Sequence, residues 1–442
     1  MELTMQQIEH EPEQRATQSR RPAGGGLVGR REFLTSGVAL TGGVFVGGLA
    51  GASGARAAES LVSGISPWQQ IPGQPFRAYG QPSRFEEATK RAIGQPLGAI
   101  APGTGSSFTP LQSLDGIITP NGLHFERHHN GVPEIDPAQH RLLIHGLVKR
   151  PLFFSMQALL RYPMVSRICF IECGGNSFRN TLPQPPQVTC GMIHGLVSCS
   201  EWTGVPLAML LAKAGVDPKG KWVLAEGADS ASMTRSIPLE KILYDAMIAL
   251  FQNGEAIRPE QGYPMRLLLP GWLGNMSVKW LRRIKVTDGP THTRDETSHY
   301  TDLMPDGKAR QFTFVMGVKS VITHPSGGMS VQGPGFYEIS GLAWTGAGRI
   351  TKVEVSADGG ASWAEAALQE PVLRHSLTRF RIPWDWNGAP ALLQSRATDD
   401  QGRVQETHKD WATHFSPANR YHCNAIQTWS VTAEGSIHNV YL

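Results

Sequence analysis

Hydrophobic and polar positions divide the chain into two textures. From residue 116 to residue 311, short apolar runs alternate with short amphipathic stretches. The clearest run is Ile168, Cys169, Phe170 and Ile171, which leads through Glu172 and Cys173 into Gly174-Gly175. Four apolar residues stopped by a glycine pair predict a buried strand ending in a tight loop, with Cys173 at its tip. Residues 142–148 and 222–226 predict further strands, and 265–269 another that ends in Pro270-Gly271. Residues 155–162 predict a short helix capped by Ser155, and 207–214 a helix closed by Gly215. A third helix is expected over 238–249, with Leu239, Ile242, Leu243 and Ala246 on one face. Residues 277–286 alternate as a strand would. Val278, Trp280, Ile284 and Val286 fall on one face; Lys279, Arg283 and Lys285 fall on the other.

After Gln311 the texture changes to short alternating segments separated by turn signals. Residues 350–356 run into Asp358-Gly359-Gly360, a strong hairpin signal, followed by Trp363. That spacing predicts an immunoglobulin-like β-sandwich over 312–442. His324-Pro325-Ser326-Gly327-Gly328 at its start is read as a turn. The expected fold is therefore α+β: a mixed α/β domain over 116–311, then the sandwich.

Ahead of these lie two irregular stretches. Residues 58–115 are rich in Pro, Gly, Ser and Gln and predict an extended arm with one short helix near 83–92. Residues 1–57 contain Arg30-Arg31, a weakly apolar run over 37–52, and Ala55-Arg56-Ala57 with small residues at both cleavage positions. An arginine pair, a short apolar run and a small-x-small site predict a twin-arginine signal peptide. The run is short and glycine-bearing for a bilayer span, and no other stretch approaches that length, so the mature protein is expected to lack a membrane span.

Composition narrows the function. The 442 residues hold 41 basic and 37 acidic side chains, a net charge of +4, which gives no support to nucleic-acid binding. The five cysteines have no regular spacing, so neither a disulfide framework nor a zinc site is predicted. Cys-x-x-Cys-His is absent, and no haem is expected in this chain. His128 and His129 are adjacent; on extended chain they point to opposite sides and cannot readily share one metal. A thiolate at the end of a rigid strand, as at Cys173, is a suitable soft ligand for a transition metal. Taken alone, the same residue is more often a small core side chain.

Several motifs in this order resemble the sulfite oxidase family of molybdenum enzymes, over about residues 116–442. Cys173-Gly174-Gly175-Asn176 is similar to that family's Cys-x-Gly-Asn loop. Pro270-Gly271-Trp272-Leu273-Gly274 through Val278-Lys279-Trp280-Leu281 is similar to its Pro-Gly-x-x-Gly…Val-Lys-Trp-Leu signature. Gly341-Leu342-Ala343-Trp344-Thr345-Gly346, with Val353-Glu354-Val355-Ser356 and Asp358-Gly359-Gly360, resembles its C-terminal dimerisation domain. The resemblance implies molybdenum held by a molybdopterin cofactor and by Cys173. It implies cofactor contacts from His129, Asn176, Arg266 and Lys279, and catalytic roles for Tyr300, Arg127 and an arginine of the β-domain, Arg381. Two cations on neighbouring strands suit a buried phosphate, Arg266 through its planar fork.

Two departures bear on the substrate. Sulfite-oxidising members place an arginine five residues after the molybdenum cysteine, where this chain has Phe178; a tryptophan of the sulfite pocket corresponds to Met192. Arginine is the natural clamp for a small dianion. The resemblance therefore implies a periplasmic enzyme that oxidises sulfane sulfur bound to a carrier-protein cysteine in thiosulfate oxidation. It also implies a separate c-type cytochrome subunit as electron acceptor and a homodimer core within a heterotetramer. The nearest alternative is a sulfite dehydrogenase acting on free sulfite. An alternative of another class is an exported binding protein with a catalytically dead N-terminal domain; Cys173, Arg266 and Lys279 together argue against it.

Overall fold

The computed structural model describes residues 24–27, 66–94, 102–416 and 418–442. Strands dominate. Val165–Glu172, Val197–Pro206 and Met247–Gln252 form an antiparallel sheet, with Glu255–Ala256 and Arg266–Leu268 both paired to the last of these. A second sheet takes the order Leu152–Ser155, Arg141–Gly146, Leu281–Thr287, Trp222–Gly227, Thr234–Pro238. Its one parallel pair joins Arg141–Gly146 to Leu281–Thr287. A small sheet of Ala92–Ile93, Gly105–Phe108 and Glu126–His128 closes one side. Helices are short and sit between strands; Leu207–Ala214 buries Leu207, Leu210, Leu211 and Ala214.

The C-terminal part is the expected sandwich. Lys319–His324, Gly335–Trp344, Thr378–Trp386 and Ala367–Leu368 make one sheet; Ala364–Glu365, Ile350–Ser356, Ala391–Asp399, Thr428–Val431 and Ile437–Val440 make the other. Trp344, Trp384, Trp386 and Trp429 fill its interior. One contiguous apolar core runs through both domains. The domains are also stitched by backbone: Phe170 N–H donates to His375 O at 2.8 Å, and Met316 N–H to Gly271 O at 3.0 Å. Gly271 has φ 75°, and a side chain there would run into the Gly346 carbonyl, so the signature's glycine serves the domain contact.

Caps at Ser155 and Gly215 are where the sequence predicts them. Three elements differ. The helix expected near 83–92 is a single turn, Arg84–Glu86, and Ala92–Ile93 is a strand. The helix expected over 238–249 spans only Leu239–Asp245; Met247–Gln252 is a strand paired on both sides. A continuous apolar run suits either element, and here both flanking strands claim its backbone. The strand expected over 277–286 begins only at Leu281. Trp280 takes a left-handed φ of 51°, which breaks the alternation and parts Lys279 from Arg283 and Lys285.

The twin-arginine stretch at 30–31 and the cleavage site at 55–57 lie outside the described residues. Just ahead of the arginines, Leu27 is fully buried on the sandwich, beside a hydrogen bond from Trp384 Nε1 to Gly25 O of 2.7 Å. Among the described residues no helix is long and apolar enough to cross a membrane.

Candidate active site

Strand alternation puts Cys169, Ile171 and Cys173 on one face of Val165–Glu172. Cys169 sits mid-strand at 2% exposure, where burial pushes its thiol up to about 12. Ile171 and Cys173 reach a cavity that, with the solvent space at its mouth, is about 680 Å³. The Cys173 thiol is half-buried; burial raises its pKa, and the Arg127 guanidinium across the cavity works against that rise.

Behind Cys173 the loop is held by a closed network. Cys173 N–H donates to Leu196 O at 2.9 Å, and Cys173 O accepts from Asn176 N–H at 2.9 Å. The Asn176 side chain spans two strands: its Nδ2 donates to Glu172 Oε1 at 2.9 Å, and its Oδ1 accepts from Leu196 N–H at 3.0 Å. Glu172 is 2% exposed and meets the β-domain, taking Trp344 Nε1–H on Oε2 at 2.7 Å and facing Lys319 Nζ at 3.4 Å. Lys319 also donates to Ser177 Oγ at 2.5 Å, and Ser177 reaches His194 Nδ1 at 2.7 Å.

The opposite wall collects cations. Arg266 is buried; Nη1 donates to Gln261 O and Nη2 to Ser277 O, both at 2.9 Å, while its Nε has no partner. Burial lowers its pKa to about 9. Lys279 Nζ touches His128 Nδ1 at 2.8 Å and the Arg127 and Glu260 carbonyls at 3.1 Å. Burial, and then Arg266, push its pKa well below the ordinary lysine value. The Trp280 kink aims it inward, and that indole anchors on Pro259 O at 2.9 Å. His124, also on this wall, is held neutral by burial with its pKa lowered to about 3.

Tyr300 closes the cavity with a left-handed φ of 52° and its hydroxyl 3.1 Å from His129 Nε2. Such a backbone in a non-glycine residue is a strained conformation of the kind found at functional sites. Burial, then the nearby Cys173, push the phenol's pKa up. Burial, then Arg127, lower that of His129 to about 4.

Of the eight residues expected at the site, six line the cavity: Arg127, His129, Cys173, Arg266, Lys279 and Tyr300. Asn176 lies one layer behind, as the loop's tether. Arg381 stands outside the cavity. Its guanidinium pairs with Glu338 at 2.5 Å and Asp115 at 3.1 Å, on a strand face turned to the exterior. His128 and His129 both border the cavity, because the strand ends at His128 and alternation lapses. Phe178 starts a 3-10 turn and, like Met192, is not in the cavity lining. The sequence reading missed His124 and Asn275. His124 Nε2 and both polar atoms of the Asn275 amide are buried at the cavity without a partner.

These orphans test the cofactor. Arg266 Nε, His124 Nε2 and the Asn275 amide are unsatisfied around one space, beside the Lys279 side chain. Buried polar groups are nearly always paired, so the wall is built for a polar, anionic occupant. Among the described residues no three His, Cys, Asp or Glu side chains converge as a metal cage. A metal held at Cys173 would need its other donors from a cofactor, and a dithiolene pterin could supply them.

Comparison with known proteins fits this geometry. Residues 129–294 match the oxidoreductase molybdopterin binding domain, and residues 310–429 the Mo-co oxidoreductase dimerisation domain. The chain is thus a molybdenum-cofactor oxidoreductase with a dimerisation domain. It is 47% identical to a chain of the sulfane dehydrogenase SoxCD from Paracoccus pantotrophus, with a TM-score of 0.84, covering 86% of this chain and 98% of that one. It is 32% identical over 321 residues to the NADH nitrate reductase of Solanum lycopersicum, and 31% over 305 residues to that of Ulva prolifera. Those matches cover 64% and 62% of this chain, and the chain spans about a third of the length of these curated relatives (34% in each case). The chain belongs to the sulfite oxidase family of molybdenum enzymes.

Proposed function

We propose that this protein is a molybdenum sulfane dehydrogenase, oxidising sulfur linked to the cysteine of a carrier protein in the periplasm. The observation that carries this reading is the 47% identity sustained over 98% of the SoxCD chain, through both domains. The Cys173 loop supports it: position 178, which holds an arginine in sulfite-oxidising relatives, is Phe178, and the loop brings no guanidinium into the cavity. A pocket whose cysteine loop adds no second guanidinium beside Arg127 has one clamp fewer for a free dianion and tolerates a sulfur chain on a larger carrier.

When bound, the molybdenum cofactor supplies a two-electron centre that oxidises sulfur with oxygen drawn from water. Cys173 would ligate the metal, and its loop is already held at the strand end. Arg266, Lys279, His124 and Asn275 would hold the pterin and its phosphate. Tyr300 and His129 present a hydroxyl and a neutral imidazole, 3.1 Å apart, to the same cavity as Cys173. Arg127 places positive charge opposite Cys173, where it stabilises anionic sulfur oxygens. Arg381, from its place outside the cavity, has no part in this account.

Each oxygen added from water releases two protons and two electrons. A separate c-type cytochrome subunit takes the electrons one at a time, and the sandwich pairs two copies of this chain. The leader with Arg30-Arg31 exports the folded, loaded protein.

The deciding experiment measures kcat/KM of the molybdenum-loaded protein, with cytochrome c as acceptor, on a persulfide-bearing carrier peptide and on free sulfite. The carrier peptide is the expected substrate by a wide margin. Efficient oxidation of free sulfite without a carrier would make this a sulfite dehydrogenase.

A further inference from the structure

Arg235 belongs to no motif, yet among the described residues it is the arginine that leaves two buried guanidinium nitrogens without a hydrogen bond. It is the second residue of Thr234–Pro238 and is 1% exposed. Met233, two residues before it, lines the cavity. Arg235 therefore shares Met233's parity and turns toward the same side. Its guanidinium lies over the ring of Tyr300, with Cζ 5.1 Å from the centroid.

Its partners do not account for it. Glu296 is the carboxylate within ion-pair reach, with 3.5 Å from Nε to Oε1. That carboxylate already accepts from the Ser236 amide, from the Ser236 hydroxyl at 2.9 Å and from the Thr293 amide at 3.3 Å. Nε and Nη1 of Arg235 are sealed from solvent without a hydrogen bond. Arg379, a buried arginine with a structural role, shows the contrast. It donates to the Gly116 and Leu114 carbonyls and to Thr323 Oγ1 at 2.8–3.2 Å. A buried guanidinium with N–H groups left open is costly to keep, and it stands directly behind the strained Tyr300.

We propose that Arg235 is a positioning residue for the oxidation. Its cation, stacked behind the Tyr300 ring, fixes that phenol at the cavity and strengthens its hydrogen bond to anionic sulfur as negative charge builds on the sulfur oxygens. A cation on the ring face withdraws charge from the phenol and makes its O–H the better donor. The positive potential that Phe178 does not bring to the loop, and that Arg381 does not bring from the β-domain, enters from behind Tyr300. The inference rests on the proposed reading only for which anion arrives.

The test compares wild type, Arg235→Met, Arg235→Lys and the double variant Arg235→Met/Glu296→Gln. The double variant removes the carboxylate that the single change leaves without its cation. Each is assayed for molybdenum and pterin content, Tm, kcat and KM, on the persulfide carrier peptide and on sulfite. The expected result for Arg235→Met, or for the double variant if the single one is unstable, is full cofactor content with kcat down about 10- to 100-fold and KM within about threefold. Arg235→Lys keeps a cation over the ring and restores kcat to within about fivefold of wild type. A loaded, stable methionine variant with wild-type kcat would overturn the proposal, and so would a loaded lysine variant no better than the methionine one. The substrate reading fails separately. If wild type prefers sulfite and Arg235→Met loses kcat on sulfite, Arg235 keeps its role and only the identity of the anion changes.

Discussion

Cys173 and Lys279 face one cavity from loops that treat buried charge in opposite ways. Beneath Cys173, the Glu172 carboxylate is met by Asn176, Lys319 and Trp344, and the next hydroxyl, Ser177, is met by Lys319 and His194. Charges balance and donors find acceptors, two of them on the β-domain. Around Lys279 the balance is withheld. Arg266 leaves Nε open, His124 and Asn275 leave polar atoms unpaired, and burial, then Arg266, hold the Lys279 pKa down. On the proposed reading, the loop that would place a metal ligand is complete before a cofactor arrives, while the wall that would receive its phosphate is completed by it. Rigidity at the ligand fixes the reacting geometry. Unsatisfied charge at the cradle is what the anion's binding relieves.

The sharpest way to break this contrast is at the ligand itself. Cys173→Ser is expected to abolish turnover while leaving a folded dimer that still carries pterin, because the cradle does not depend on the thiolate. Activity assays with pterin fluorescence and size-exclusion chromatography check it; wild-type turnover would remove Cys173 from the metal. Cys169→Ala, four residues earlier on the same face but enclosed in the core, is expected to stay active.

The satisfied side should be the more fragile to a single deletion. Lys319→Met strands the Glu172 carboxylate, with both side chains 2% exposed in the wild type. Breaking a buried pair from one side costs about 3–5 kcal/mol. The double variant Glu172→Gln/Lys319→Met should recover part of that loss, since no charge is then left alone. Urea denaturation of the four proteins gives the coupling. Independent, additive effects would mean that the domains are not joined through this pair.

Legibility in the sequence follows the same division. Cys173 could be placed because a strand's end is a local event, an apolar run stopped by two glycines. The caps at Ser155 and Gly215 were legible for the same reason. Met247–Gln252 was not, because an apolar run buried on both faces carries no period to tell strand from helix. Lys279 was recognised through its motif, but its direction depends on the left-handed Trp280, which no alternation rule anticipates. Arg381, expected at the site from the resemblance alone, lies outside the cavity lining. Its strand pairs it with Ser340 and Ala367 and leaves the guanidinium to Glu338 and Asp115. Arg235, His124 and Asn275 stand out because each leaves buried polar atoms unpaired, and an unpaired atom is a property of the assembled fold alone.

Lys279→Ala tests the unsatisfied side, with a smaller expected effect. Losing one charge-assisted contact to a buried phosphate should weaken cofactor retention by about 1.5–3 kcal/mol, roughly ten- to a hundredfold. Turnover per bound molybdenum should change much less, because Cys173, Tyr300 and Arg127 stay in place. The apoprotein adds a sign that a merely structural lysine would not give. Burial and Arg266 hold the Lys279 pKa well below its ordinary value, so keeping the ammonium charged costs the empty protein stability. Removing it should leave the apo Tm equal to wild type or above it, while the holo Tm falls and the gap between them narrows. Molybdenum and pterin content, turnover per metal and paired melting curves report all three. Full occupancy with slow turnover per metal would move Lys279 into catalysis. A large fall in apo Tm would mean that its contacts with His128 and the Arg127 and Glu260 carbonyls hold the fold, and that the cradle is not poised as described.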